Sequence, residues 1–368
     1  MSNVLISGAS VAGPALAYWL RRHGMTPTIV ERAPGIRPGG QAIDVRGVGL
    51  TVVDRMGLLD AIGDLRTHTT GMSFVDADGA ELMRSTEETL TGGVVDNEDI
   101  EILKSDLSEV LYDATRDDVE HLFGDSIAGL TQDDEGVTVA FERGAGRRFD
   151  YVIGADGLHS TVRSLVFGPE SQYLTHLDTY LAVFTVPNFL GLDRWQTFHQ
   201  TEGGLAGVYT TRTNDEVRAF LGFESPLLDF DHRDLDQQRK LVADRFAGAG
   251  WQVPRLLAEM MRAPDFYFDA MGQIRMPTWS SGRVSLVGDA AYCGSPLSGQ
   301  GTTMALVGAY VLAGEMAYGG GFAAYEQKMR GFVAANQDVA LAASRSEERR
   351  IDPETMRRIS NGITLPVY

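Results

Sequence analysis

Residues 3–24 read "NVLISGASVAGPALAYWLRRHG", and the reading of this stretch decides the fold. Residues 3–7 are a short apolar run, as expected of a strand buried on both faces. From Ala12 to His23 the pattern changes. Ala12, Leu16, Trp19 and Leu20 recur at helical spacing, Pro14 lies in the first turn where a missing N–H costs nothing, and Gly24 can close the helix. Residues 26–31, TPTIVE, return as a second strand. The spacing predicts a strand–helix–strand unit, the opening of a Rossmann-type α/β fold. Its loop, Gly8-x-x-x-x-Gly13, has the outline of a dinucleotide fingerprint with Ser10 where a middle glycine would let backbone approach a pyrophosphate. Serine is small and its hydroxyl can itself donate to a phosphate. The helix N-terminus still offers free N–H groups to an anion. Glu31, at the end of the second strand, is placed to accept from both ribose hydroxyls of an adenosine. The plain alternative is a glycine turn with Glu31 as a solvated strand end.

Two further motifs bear on that choice. Residues 151–163, "YVIGADGLHSTVR", combine an apolar strand with Asp156-Gly157, Ser160 and Arg163. Residues 284–306, "VSLVGDAAYCGSPLSGQGTTMAL", run from a strand into Gly288-Asp289, then Pro296 and Gly299-Gln300-Gly301. Asp289 is expected at a strand end, placed to accept from a polyol hydroxyl. Gly299 to Gly301 open a helix whose N–H groups can face an electron-rich ring edge. Each motif alone can be a turn; three in this order are poorly explained as turns. Glycine motifs at both ends of the chain predict one nucleotide-binding domain assembled from non-contiguous pieces.

Between the motifs, residues 51–62 look helical. Residues 71–83 carry a hairpin signal with Asp78-Gly79 at the turn. Residues 97–116 are amphipathic, with Ile102, Leu107, Val110 and Leu111 on one side. From 172 to 275, β-branched and aromatic runs such as "YLAVFTV", "LAGVYTT" and "VRAFLGF" predict a mostly β unit carrying some helix. The tail from Gly321 reads as polar and helical, with charge pairs in "ASRSEERR". The composition narrows the class. The 368 residues carry a net charge of −18, which argues against nucleic-acid binding. The single cysteine, Cys293, suits a reducing cytosol. Residues 302–321 are too short and glycine-rich for a membrane span and are expected to be a buried helix. No signal segment is read, and the expected location is cytoplasmic. The histidines show no metal-ligand spacing, so no metal is expected.

With these motifs in view, the chain resembles the FAD-dependent class A monooxygenases, the aromatic hydroxylases, over roughly residues 3–320. The GAS-x-AG form of the first loop is similar to a bacterial branch with tetracycline-inactivating and polyketide-tailoring enzymes. The resemblance implies an α/β fold: a Rossmann-like FAD-binding domain of the GR2 type with an inserted β-rich substrate domain and a C-terminal helix. The pieces are 1–71, 99–171 and 276–320 for FAD, 72–98 and 172–275 for substrate, and 321–368 as a C-terminal helical segment. It implies non-covalent FAD, NADPH or NADH as co-substrate, O₂, and hydroxylation of a small aromatic or polycyclic molecule through a flavin C4a-hydroperoxide. The protein supplies position, dryness and electrostatics.

Carried onto this chain, the resemblance assigns Gly8, Ser10 and Gly13 to pyrophosphate and Glu31, with neighbouring Arg32, to the adenosine end. Asp289 would meet the ribityl chain or pyrophosphate, and Pro296, Gly299, Gln300 and Gly301 would border the isoalloxazine. Arg46 matches a loop position that contacts the flavin or guards its outward swing. Lys104 stands where the family usually has arginine, and donates only as a point charge. Asp156 and Arg163 hold the strand–loop junction, with a role in NAD(P)H docking as the alternative. Arg194, Trp195, Tyr209, Arg212 and Phe220 are substrate-side candidates from their place on alternating strands. No acid–base residue is assigned. Halogenases of this fold are expected to carry W-x-W-x-I-P, which is absent. A membrane partner is not expected, and a monomer or weak oligomer is. The rival of another class is a flavin-binding protein that sequesters or oxidises a ligand without inserting oxygen.

Overall fold

The computed structural model describes residues 2–37, 39–95, 97–232, 234–346 and 351–368. Strand Asn3–Ser7, helix Ala12–Arg22 and strand Thr26–Glu31 form as the spacing predicts. The first strand sits inside a six-stranded sheet in the order Ser280–Ser281, Val284–Leu286, Tyr151–Gly154, Asn3–Ser7, Thr26–Glu31, Glu120–Phe123. All its pairings are parallel except the first. Strands of all three glycine motifs are therefore immediate neighbours, and their loops emerge together at the carboxyl ends, where ligands bind in open α/β sheets.

The glycines are required by contact. A Cβ on Gly13 would lie 1.9 Å from the Gly8 carbonyl oxygen, and one on Gly8 would lie 2.4 Å from the carbonyl of Ala155. Gly8 also has φ +108°. Ser10 is not among the described residues with positive φ, so the backbone makes no demand for glycine there.

The seven-stranded sheet runs Tyr267–Ile274, Leu174–Pro187, Glu216–Glu224, Leu205–Thr210, Gln196–Gln200, Met72–Val75, Glu81–Ser85. The hairpin expected at 71–83 forms its far edge. Strict alternation gives the sheet two apolar faces. Tyr180, Ala182, Phe184, Val208, Ala219 and Leu221 pack on one side with Val242, Phe246 and Leu256 from helices Leu235–Arg245 and Val253–Met260 and the turn between them. Leu181, Val183 and Met271 form a separate cluster on the other side, joined by Phe220 and by Leu297 of the third glycine motif. The second face therefore turns toward the glycine loops.

Helix Gly301–Ala317 is buried from Thr302 to Glu315. It packs on the first helix through the edge contact of Trp19 and Tyr310, with ring centroids 4.9 Å apart. Each large apolar side chain buried this way contributes about 2 kcal/mol. Among the described residues, no helix is long and apolar enough to cross a membrane.

Three expectations are corrected. Residues 51–62 are not one helix: helices Val48–Arg55 and Leu59–Gly63 are separated at Gly57, whose φ is +74°. Residues 97–116, read as one amphipathic stretch, divide into two elements. Ile100–Leu103 is a strand paired with Ala42–Val45, and the helix begins at Lys104. The tail is less polar than it reads. Helix Gly321–Ser344 buries Tyr325, Met329, Phe332 and Val333, and a second helix, Pro353–Ser360, follows. The charge pairs of "ASRSEERR" fall largely on 347–350, outside the described residues.

Gly13→Val is expected to lower stability by about 3 kcal/mol, because no side chain can yield where the contact is backbone. Ser10→Gly is expected to stay within ~0.5 kcal/mol of the parent. Chemical denaturation of both checks this; equal midpoints for the parent and Gly13→Val would refute the packing argument.

Candidate functional site

The loop after the first strand is held from both sides. The Gly8 N–H donates to the Val30 carbonyl at 2.8 Å. The Glu31 carboxylate accepts from Ala9 N at 3.0 Å and from Ala33 N at 2.8 Å, with Arg37 3.8 Å away. Glu31 is thus joined to the glycine loop itself, which is more than a solvated strand end. Arg32 is exposed.

The second motif stitches the other two together. Asp156 accepts from Ser160 Oγ, from Val162 N at 3.1 Å and from Ser7 Oγ at 3.4 Å; burial pushes its carboxyl up. Arg163 is fully buried and donates to the Ala290 carbonyl at 3.0 Å and the Leu158 carbonyl at 2.5 Å, and pairs with Glu170. Both carboxylate oxygens of Asp156 and both terminal nitrogens of Arg163 are therefore occupied by protein partners.

Lys104 and Asp289 lie close enough for each charge to act on the other. Both keep exposed surface, yet burial is the first cause of both pKa shifts. Groups that are deep and still wetted line an internal recess. Burial pulls the Lys104 amine down with Asp289 opposing, and pushes the Asp289 carboxyl up with Lys104 opposing. Each is driven toward its neutral form, so neither charge fully compensates the other. Asp289 opens a one-turn helix, Asp289–Tyr292, rather than ending the strand. Its Oδ1 lies 3.9 Å from where a Gly301 Cβ would sit, beside the N-terminus of the long buried helix. Cys293, next in line, has its thiol pushed well up by burial and by Asp289, as expected of an inert buried cysteine.

The loop between these helices is locally strained. Ser295 has φ +72° and Gly299 +59°, flanking the short turn Pro296–Ser298. Gln300 is fully buried; its Nε2 donates to Met356 Sδ at 3.0 Å and its Oε1 finds no partner among the described residues. Arg46 is equally enclosed. Its guanidinium reaches Asp44 at 2.9 Å, Asp99 at 2.7 Å and the Gly92 carbonyl at 2.9 Å, while Nε has no partner among the described residues. Burial opposes the Arg46 charge, but the two aspartates outweigh it and hold its pKa up. Asp44 is pushed up to about 7 by burial, with Arg46 opposing and Glu101 adding. The Arg46 Nε lies 3.9 Å from a Cβ placed on Gly299.

These features fit a flavin dinucleotide. Orphaned buried atoms of Arg46 and Gln300 flank Gly299, an uncompensated Lys104–Asp289 pair lines a deep recess, and the glycine loop abuts the helix N-terminus. Unpaired buried polar atoms are costly and point to a missing partner.

Of the substrate-side candidates, Tyr209 and Phe220 lie on the sheet face toward the loops. Tyr209 is buried, its hydroxyl accepts from Ala42 N at 3.2 Å, and burial raises its pKa. Phe220 meets Phe198 edge-on at 6.1 Å. The structure does not bring the other three to that face. Arg194 and Arg212 are exposed in connections between strands, Arg194 at φ +46°. Trp195 donates to Ser73 Oγ at 3.1 Å and lies under Arg84 at 4.1 Å, on the opposite side of the sheet from Phe198. Alternation along 217–223 could have added Arg218, which shares the face of Phe220. It is buried, donates to the Gly40 carbonyl at 3.1 Å and pairs with Glu216 at 3.1 Å. Gln196, opposite Tyr209 in register, is fully buried and donates to Thr91.

Sequence reading missed a cluster altogether. His159 places Nδ1 2.9 Å from Glu170 and Nε2 3.0 Å from Asp269, with the His232 ring centroid 4.5 Å from its own. Ligand-type atoms of His159, His232 and Asp269 lie within 4.8 Å of one another, but both nitrogens of His159 are held by carboxylates, so the group is built as an ion-pair network. Burial opposes the imidazolium, yet Asp269 and Glu170 outweigh it and raise its pKa to about 10. A raised histidine pKa contributes stability that is full below the ordinary value of 6.5 and is lost as pH rises through about 10. The Tm difference between the parent and His159→Gln is therefore expected to shrink from pH 6.5 to pH 10. A constant gap across that window would refute the network.

Residues 1–320 match the FAD-binding domain family. A Mycobacterium tuberculosis protein described as uncharacterized is 54% identical over the full length of both chains. A flavin-dependent monooxygenase of Legionella longbeachae is 40% identical, covering 100% of this chain and 98% of its own. Among solved structures, the tetracycline destructase Tet(51) superposes with a TM-score of 0.91 at 36% identity, over 100% of both chains. With its three glycine motifs converging on one recess, the chain belongs to the FAD-binding domain family of class A flavin monooxygenases.

Proposed function

We propose that this protein is an FAD- and NAD(P)H-dependent monooxygenase that hydroxylates a small aromatic or polycyclic substrate. The observation that carries this reading is the meeting of two surfaces. Asp289 and Leu297 stand eight residues apart in the third glycine motif, and Leu297 packs into the apolar sheet face of Leu181, Val183, Met271 and Phe220. A polar slot for a dinucleotide and a dry wall for a ring system thus share one loop. The 36% identity to a tetracycline destructase supports a polycyclic, phenol-bearing substrate.

In this reading Gly8, Ser10, Gly13 and the helix behind them hold the pyrophosphate. Glu31 holds the adenosine ribose, with Arg32 beside it. Lys104 and Asp289 hold the ribityl–phosphate segment, and Pro296, Gly299, Gln300, Gly301 and Arg46 border the ring. When bound, FAD supplies hydride acceptance and oxygen activation. The chain's own residues do the rest. Phe220, Leu181, Val183 and Met271 exclude water, Arg46 is held rigid by Asp44 and Asp99, and the helix N-terminus at Gly301 presents N–H groups to developing negative charge.

The protein is to be incubated with FAD, NADPH or NADH, ¹⁸O₂ and a panel of phenols and tetracyclines. The expected result is substrate-stimulated NAD(P)H oxidation with a product that gains one labelled oxygen. Ligand binding without oxygen gain across the panel would sink the reading in favour of a sequestering flavoprotein. Loss of one charged hydrogen-bonding partner costs about 1.5–3 kcal/mol, or roughly 10- to 100-fold in affinity. Asp289→Ala is accordingly expected to weaken FAD binding about 100-fold with the fold retained, and Glu31→Ala about tenfold with residual activity at saturating FAD. Unchanged flavin affinity in either variant, measured by titration of apoprotein, would remove that residue from the site.

A further inference from the structure

Tyr267 begins the edge strand of the seven-stranded sheet, opposite Val183 in register. It therefore stands on the face that carries Leu181, Val183 and Met271. The residue keeps 41% of its surface exposed, yet its hydroxyl pKa is pushed well up, by burial first and then by Asp269, Cys293 and Asp289. Its register beside Val183, in the cluster that Leu297 of the third glycine motif joins, places it at the edge of the sheet face turned toward the glycine loops.

The hydrogen-bond bookkeeping around it is unusually constrained. Asp269 Oδ1 accepts from Ala270 N at 2.8 Å. Oδ2 accepts from His159 Nε2 at 3.0 Å and from the Tyr267 hydroxyl at 3.4 Å. His159 is fixed in turn by Glu170 on its other nitrogen. With a carboxylate oxygen as its partner, Tyr267 spends its one hydrogen on Asp269. The phenol oxygen then offers only lone pairs to the recess. The contact to Asp269 is the longest of the set and free to tighten when the phenol oxygen is itself hydrogen-bonded.

We propose that Tyr267 is a specificity-determining residue whose phenol oxygen accepts a hydrogen bond from a phenolic or enolic hydroxyl of the substrate. Asp269 and His159 are positioning residues that keep its own hydrogen turned away. The inference rests on the reading of this recess as a substrate site, and it commits to a hydroxyl-bearing ring system over its hydroxyl-free isostere. A site built to hydrogen-bond a hydroxyl discriminates strongly against the analogue that lacks it.

The test is direct binding to the FAD-loaded protein, followed by the flavin absorbance change, with 1-naphthol and 1-methylnaphthalene as a matched pair. The parent is expected to prefer the naphthol by about tenfold or more. Tyr267→Phe is expected to bring the two ligands within about twofold, with FAD affinity measured alongside as control. Asp269→Asn is expected to reduce the preference without moving the affinity for 1-methylnaphthalene, which a merely structural defect would move. A parent without preference, or a Tyr267→Phe protein that retains it, overturns the proposal. So does a variant whose only change is a raised KM for NADPH, which would place Tyr267 against the nicotinamide. Binding preference needs no turnover, so a failure of oxygen insertion with the preference intact would count against the monooxygenase reading alone.

Discussion

A Cβ on Gly13 would fall 1.9 Å from the Gly8 carbonyl, and one on Gly8 2.4 Å from that of Ala155. The close approach of strand, loop and helix at these points is what the rest of the molecule depends on. It seats the first helix on its strand and sets the strand against Tyr151–Gly154, the next in the sheet. Val284–Leu286 then joins on the far side. Three loops that are remote in sequence emerge side by side because their strands are hydrogen-bonded neighbours. Arg163 extends the same constraint. Its buried guanidinium ties the second motif to the Ala290 carbonyl of the third, while Asp156 reaches back to Ser7 of the first. Removing charge from so enclosed a position would strand its partners, which makes the junction rigid.

Onto this frame the seven-stranded sheet adds a wall with two chemically similar faces and different fates. One is covered by helices Leu235–Arg245 and Val253–Met260, and becomes ordinary core. The other has only a few apolar partners of its own, and one of them, Leu297, belongs to the third glycine motif. Polar groups at the boundary are engaged on both oxygens, as in Asp156, or keep one buried atom without a partner among the described residues, as in Arg46, Arg163 and Gln300. In the GAS-x-AG loop, without a positive φ at Ser10, the serine is tolerated by the backbone.

Much of the geometry of the three motifs was legible because such loops are local. Gly8, Gly13, Glu31 and Gly299–Gly301 lie within short strand–turn–helix units whose spacing predicts them, whereas Asp289 opens a helix where a strand end was expected. Lys104 and Arg46 were candidates only through resemblance to a family, since nothing in their sequence neighbourhood marks them. Arg194, Trp195 and Arg212 show the limit of strand alternation. Period two assigns residues to faces but cannot say which face is covered, nor where a strand begins, and the connection before Gln196 puts two of the three outside it. The break at Gly57 and the strand at Ile100–Leu103 were missed for a related reason: short apolar runs satisfy helical and extended patterns equally.

By itself, the sequence determined the Rossmann-type opening, the three loops and the cofactor class, because backbone sterics and helix-end polarity act over a few residues. Tertiary structure decided everything that depends on distant pairing. It put Arg163 against Ala290, Lys104 near Asp289, Leu297 into the sheet, and His159 between Glu170 and Asp269. Those contacts span tens to hundreds of residues and follow from strand order and burial, which no local spacing encodes.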